Sequence, residues 1–152
     1  MFVALLLSGI IGFERERAHK SAGMRTHALV ALGSALFAVI AAEAFPGQGI
    51  LIADIIVGIG FIGGAAITRG ATKHLITGAT TASSLWLAAG IGIAAGLGYN
   101  FIAVAATMIG YIVLTVFWHI EKKIAWRMGY GHLKMMDQLG LIHEHNAKRK
   151  KP

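Results

Sequence analysis

The sequence of 152 residues has no cysteine, two prolines and few acids, seven against fourteen lysines and arginines. Without cysteine there is no disulfide and no thiol-based metal or redox site. Charge of either sign is scarce: 14% of the residues are Asp, Glu, Lys or Arg, where globular domains carry about a quarter. The scarcity is also uneven. No lysine or arginine occurs between Thr26 and Thr68, nor between His74 and Glu121. What fills these gaps is apolar, and the chain as a whole is 56% hydrophobic with mean hydropathy +0.67. This composition leans toward a membrane protein.

The basic residues fall in three segments: Arg15, Arg17, Lys20 and Arg25; Arg69 and Lys73; and Lys122, Lys123, Arg127, Lys134 and the run Lys148-Arg149-Lys150-Lys151. Each gap between them is long enough for two membrane crossings with a short turn at its midpoint. Every positive charge then lies on one side of a bilayer, as the positive-inside rule expects. The expected fold is an all-α polytopic bundle of about five transmembrane helices, with the N-terminus outside and the C-terminus in the cytoplasm. The expected spans are 1–13, 27–45, 50–67, 75–97 and 101–120, with turns at Pro46-Gly47-Gln48-Gly49 and Gly98-Tyr99-Asn100. The first, as a helix, covers only about 20 Å, short of a hydrocarbon core of about 30 Å. No basic n-region precedes it and no A-x-A-like site follows, so a short span is preferred to a signal peptide.

Residues 1–121 are therefore expected to form a transmembrane domain and 122–152 a short basic cytoplasmic tail. Trp126 and Tyr130 are expected at the headgroup level. The polybasic end at Lys148–Lys151 reads either as a contact to anionic lipid or as a solvated terminus. His143 and His145 are too few for a metal site. The pI near 10.1 raises nucleic-acid binding, but here the basic residues flank apolar runs instead of covering one solvated face. The partner expected from composition is the lipid bilayer, not nucleic acid.

Gly58-Ile59-Gly60-Phe61-Ile62-Gly63 has the letters of the dinucleotide fingerprint. That motif works where a strand turns into a helix, with an acid further on; inside an apolar span it does not. Gly58, Gly60, Gly63 and Gly64 are expected instead to let helices pack closely, as are the small-xxx-small pairs Gly60/Gly64, Gly92/Gly96 and Ser8/Gly12. Self-association as a homo-oligomer is left open by the same spacing.

Asp54 is the one acid well inside a span. Burying its charge costs several kcal/mol, so it should face the bundle interior or water. It lies only about 6 Å from the outer end of its helix. It is either a candidate cation or proton site, or a hydrogen-bonded acid that fixes packing. Thr77, Thr80, Thr81 and Ser84 fall on one face of the expected fourth helix, either bonded between helices or lining a polar cavity. At the same depth, Glu14 and Glu16 end the first helix, and Arg25, Thr26 and His27 open the second. This rim is the best candidate for a working site. A cation at a helix N-terminus opposes the macrodipole, so Arg25 should have a carboxylate partner, for which Glu14 is the choice. No nucleophile constellation and no deep carboxylate pair is present, and no catalysis or bound cofactor is expected.

At these motifs the chain resembles the MgtC/SapB family of bacterial inner-membrane proteins. The resemblance is carried by Gly12-Phe13-Glu14-Arg15-Glu16 leading to Gly23-Met24-Arg25-Thr26-His27, by Gly58–Gly63, and by Gly78-Ala79-Thr80-Thr81-Ala82 ending in Leu85-Trp86. It covers roughly residues 5 to 120. Ile50 stands where the family usually has arginine, Asp54 where it has glutamine, Ala79 where it has leucine and Ser83 where it has alanine. The larger cytoplasmic domain of some members has no counterpart here.

The resemblance implies a multi-pass protein of the inner membrane, associated with growth under magnesium limitation and with survival of pathogens inside host cells. It also implies a modulator of other membrane machinery, the ATP synthase among it. Glu14, Arg25, Thr26, His27, Thr80, Thr81 and Trp86 match the family's marked positions. The expected function is therefore non-enzymatic regulation of a membrane complex, tied to Mg²⁺ limitation or acid stress. The alternative is a small transporter or channel for Mg²⁺ or protons.

Overall fold

The computed structural model describes residues 1–47, 49–69 and 76–127. Five helices form among them: α1 (Phe2–Arg17), α2 (Met24–Ala44), α3 (Ile50–Ala65), α4 (Ala79–Gly96) and α5 (Asn100–Arg127). Between α3 and α4 a two-residue antiparallel pair, β1 (Thr68–Arg69) and β2 (Ile76–Thr77), sets Thr68 opposite Thr77. The chain divides into two compact units, Met1–Ile112 and Val113–Pro152. The first holds α1 to α4 and the start of α5; of the second, the rest of α5 as far as Arg127 is described. The tail residues Tyr130, His143, His145 and Lys148–Lys151 lie outside the described residues, as does the side chain of Trp126.

Among the described residues the architecture is helical apart from the short β1–β2 pair, as expected for an apolar chain that must satisfy its backbone internally. Helices α2, α4 and the Asn100–Glu121 stretch of α5 are long and apolar enough to cross a membrane. Helices α1 and α3 have 16 residues each, about 24 Å at 1.5 Å per residue, less than a hydrocarbon core of about 30 Å.

The ends of the helices differ from the expected spans for identifiable reasons. Helix α1 runs past Phe13 through Glu14 to Arg17, because Glu and Arg are good helix formers. It stops in a Schellman motif: His19 takes the left-handed conformation (φ 53), the Lys20 N–H donates to the Arg15 carbonyl, and the His19 N–H donates to that of Glu16. Helix α4 starts at Ala79, not at position 75. Its N-cap, Gly78, has φ +91, and a Cβ there would run into the Ala66 carbonyl at the end of α3. Thr77 consequently sits on β2, so the hydroxyl stripe expected on one helix loses its first member. Helix α5 continues through the boundary expected at residue 121.

The core of the first unit is a seam of small residues. Helix α2 shares its largest interface with α4. Ala31, Ala35 and Ala38 of α2 and Ala88 of α4 are completely buried. A Cβ on Gly96 would lie 2.6 Å from the Ala35 carbonyl oxygen, and one on Gly92 would collide with that of Ala31. The two backbones thus meet through four-residue steps on both helices, close packing of the kind that replaces hydrophobic driving force in lipid. Helix α1 joins α2 in the same way, with Gly12 against Met24 and Gly23. At one end of the unit the C-terminal turns of α1 and α3 therefore meet the N-terminal turns of α2 and α4. We call this the basic end, after Arg15, Arg17 and Arg25.

Of the glycines expected to pack, Gly63 lies against Ala82, at ordinary contact distance for a Cβ. Gly58, Gly60 and Gly64 do not behave as expected: a side chain at each would meet nothing within 4 Å.

Candidate functional site

Helix α1 buries Ala4, Ser8, Ile11, Gly12 and Arg15, positions that share one helical face. That face carries Arg15 into the interior at the basic end, where it is only 2% exposed. Its Nε donates to Glu14 Oε2 at 2.5 Å, and the Glu14 side chain is itself 13% exposed. Glu14 therefore pairs with its neighbour and not with Arg25. Arg25 is exposed, and among the described residues it has no carboxylate partner.

The carboxylate expected at the start of α2 is supplied by Glu16, whose Oε2 accepts the Met24 N–H at 3.0 Å. The N-cap residue, Gly23, has no side chain to do this. An acid at a helix N-terminus meets both an unpaired amide and the positive end of the dipole, which offsets the cation of Arg25 one residue on.

His27 is completely buried. Its Nδ1 lies 2.9 Å from the Gly23 carbonyl oxygen. A carbonyl only accepts, so Nδ1 carries a proton. Its Nε2 lies 3.0 Å from Ser84 Oγ on α4, and that hydroxyl also lies 2.8 Å from the Thr81 carbonyl. With Nε2 unprotonated, two acceptors compete for the single Ser84 proton. The backbone of His27 is held as well, because Ser8 Oγ on α1 donates to its carbonyl at 3.1 Å. One residue thus ties three helices together, its ring joining α2 to α4 and its backbone carbonyl joining α2 to α1.

The remaining expected residues divide by direction. Thr81 is buried beside Ser84, Thr26 is half-buried, and Arg25, Thr80 and Trp86 are exposed, Trp86 by 57%. Asp54 is exposed on the wall of a groove between α2 and α3, away from the basic end. Among the described residues no group of three potential metal ligands forms. Sequence reasoning named Ser8 for packing alone and did not single out Arg15 for the site; Ser8 lies four residues before Gly12 and Arg15 three after it, in line with Ala4, and that spacing was the available signal.

The profile of the MgtC family matches residues 1–123. The chain belongs to the MgtC family. Protein MgtC of Salmonella typhimurium (strain 14028s / SGSC 2262) is 42% identical over 110 residues, 72% of this chain and 47% of that protein. YhiD of Escherichia coli (strain K12), named as a candidate magnesium transporter, is 33% identical over 129 residues, 77% of this chain and 58% of that protein. An uncharacterized protein of Haemophilus influenzae is 37% identical over 119 residues, 71% of this chain and 50% of that protein. The chain thus spans about half the length of these curated relatives. No solved structure matches. The family match covers α1 to α4 and most of α5, including the whole basic end.

Proposed function

We propose that this MgtC-family protein is a multi-pass protein of the bacterial inner membrane that regulates a partner membrane complex, without catalysis, under Mg²⁺ limitation or acid stress. Its basic end faces the cytoplasm and is the surface the partner reads. The observation that carries this reading is the division of the basic end into two sets of side chains. Glu14, Arg15, His27 and Ser84 are spent on one another and on the backbone, and they fix the helix ends. Arg25, Thr80 and Trp86 present a guanidinium, a hydroxyl and an indole outward. Arginine and tryptophan on a rigid base are the residue types that dominate binding energy at protein interfaces. The family's link to membrane machinery makes the ATP synthase a partner to test first.

Affinity purification from magnesium-starved cells tests the reading. A specific membrane complex should co-purify and be lost with Arg25→Ala or Trp86→Ala, while the thermal midpoint of the purified variants stays within a few degrees of the parent. Unchanged co-purification in both variants would defeat it.

The second reading, transport of Mg²⁺ or protons, is favoured by Asp54 on its groove and by the name of the Escherichia coli relative. Transport needs a polar path through the hydrocarbon region. Between Asp54 and the His27–Ser84 bond the α2–α4 interface consists of residues such as Ala31, Ala35, Ala88 and Gly92, which supports regulation. Magnesium-dependent flux into liposomes that Asp54→Ala abolishes would reverse that preference.

A further inference from the structure

His27 lies in the first turn of α2 and Ser84 in the second turn of α4. The His27 ring is enclosed, and its two nitrogens meet a carbonyl oxygen and a hydroxyl, not a carboxylate. Hydrogen bonding alone does not fix the charge of this ring. A neutral ring accepts the Ser84 proton at Nε2. A doubly protonated ring donates from Nε2 to Ser84 Oγ, whose own proton then goes to the Thr81 carbonyl. What separates the two forms is the enclosure of a charge. Among the described residues, the charged groups that act on the ring are Arg15 and Glu14 of α1, and these two already neutralise one another. Helix α4 has no titratable side chain, and α3 has Asp54 alone, away from the basic end. Within the first unit α5 offers only Tyr111, which is exposed. Arg25 on α2 itself, and Arg17, His19 and Lys20 near the end of α1, are exposed. Glu16 is exposed as well and is engaged at the Met24 amide.

An imidazolium enclosed here is thus a second buried cation, with the single Glu14 carboxylate for the two of them. A buried charge without its own counter-charge is strongly unfavourable, whereas an imidazole in water takes a second proton freely below about pH 6.5. We propose that His27 is a proton-sensitive latch: uptake of a proton parts the first turns of α2 and α4 at the basic end and brings the ring to water. The parting stops at the seam beneath. Where Ala31 meets Gly92 and Ala35 meets Gly96, the helices join through backbone and methyl groups with no titratable side chain. That interface is indifferent to pH and serves as the hinge. The open form binds a proton that the closed form excludes, so acid favours the open form. The turns that separate carry Arg25, Thr80 and Trp86, so acid alters the surface assigned above to the partner. That consequence rests on the regulatory reading; the latch itself does not.

Opening is measured in the purified full chain in detergent, with no partner present. Thr81 beside the latch and Thr107 on α5 are each 3% exposed. Single-cysteine variants Thr81→Cys and Thr107→Cys are labelled with a water-soluble thiol reagent. Each rate is divided by that of the exposed Lys20→Cys at the same pH, which removes the pH dependence of the thiol chemistry. The Thr81→Cys ratio should rise roughly tenfold from about pH 7.5 to about pH 5.5, as expected for one proton bound by a ring of pKa about 6.5 in the open form alone. Thr107→Cys should stay protected. His27→Gln keeps an acceptor for Ser84 but cannot take a charge, and it should hold the Thr81→Cys ratio flat with pH. His27→Asn, which keeps a donor for the Gly23 carbonyl, replaces it if the glutamine variant fails to fold. A flat ratio with His27 in place, the same rise without the imidazole, or a rise at Thr107→Cys in step with Thr81→Cys would each overturn the proposal. The last would show that acid unfolds the whole unit and not its basic end.

Discussion

His27 on α2 and Ser84 on α4, 57 residues apart, are joined by a 3.0 Å contact between Nε2 and Oγ in the interior of the first unit. Ser84 Oγ is the contact of that ring nitrogen, so removing the hydroxyl leaves Nε2 without a partner, and the bond to the Thr81 carbonyl is lost with it. Ser84→Ala should therefore cost about 1–3 kcal/mol, the penalty of a buried polar group left unpaired. His27→Ala should cost more, because a buried ring is lost as well. Thermal denaturation in detergent should order the midpoints as parent, Ser84→Ala, then His27→Ala.

Arg15 and Glu14 make a second comparison. Deleting one partner of a buried pair is worse than deleting both. Glu14→Gln should destabilise by roughly 3 kcal/mol, because the Arg15 cation stays buried without its counter-charge. The double variant Glu14→Gln, Arg15→Met should recover much of that loss. A double-mutant cycle in detergent measures it; additive effects would show that the ion pair carries no coupling.

Glycines on opposite sides of the bundle should respond oppositely to a methyl group. Gly92 abuts the Ala31 backbone, whereas Gly60 faces open space in the middle of α3. Gly92→Ala should destabilise by about 1–3 kcal/mol through overpacking. Gly60→Ala should be neutral or stabilising by up to about 1 kcal/mol, from helix propensity. The same thermal assay reads both.

The Schellman turn after α1 holds His19 in the left-handed region. That conformation costs a side-chain-bearing residue about 1–2 kcal/mol, against about 0.5–1 kcal/mol for the extra entropy glycine loses on folding. His19→Gly should raise the thermal midpoint by a few degrees. A lower midpoint would mean that the imidazole makes a compensating contact.

Much of the helical layout was legible in the sequence. Apolar runs bounded by charge, by Pro46-Gly47 and by Gly98-Tyr99 mark five helices, and the two turns fall where expected. The ends at Arg17 and Ala79 were not legible, because they depend on backbone events: a left-handed His19, and a Gly78 pressed against Ala66. The small-residue pairs Gly92/Gly96 and Ser8/Gly12 were correctly read as packing seams. Gly60 and Gly64 share that spacing, yet a side chain at either would meet nothing within 4 Å, since spacing alone does not say which side of a helix meets its neighbour.

At the candidate site, Glu14, His27 and Thr81 were named from polarity and depth, and the structure gathers them at one end. Choosing Arg25 as the cation for Glu14 followed from the helix dipole. The structure instead meets the dipole with Glu16 at the Met24 amide and gives Glu14 to Arg15. Adjacent residues do not share a helix face, so their pairing is seen only when the burial of Arg15 is known.

The account depends most on the basic end lying in the cytoplasm, and site-directed thiol labelling tests this directly in a chain that has no cysteine of its own. Single substitutions Pro46→Cys, Tyr99→Cys and Lys20→Cys fall at exposed positions in three different turns. A membrane-impermeant maleimide applied to intact cells should label the first two, and Lys20→Cys only after the inner membrane is permeabilised. Labelling of Lys20→Cys in intact cells, with Pro46→Cys and Tyr99→Cys protected, would invert the protein in the membrane and contradict the proposed site of regulation.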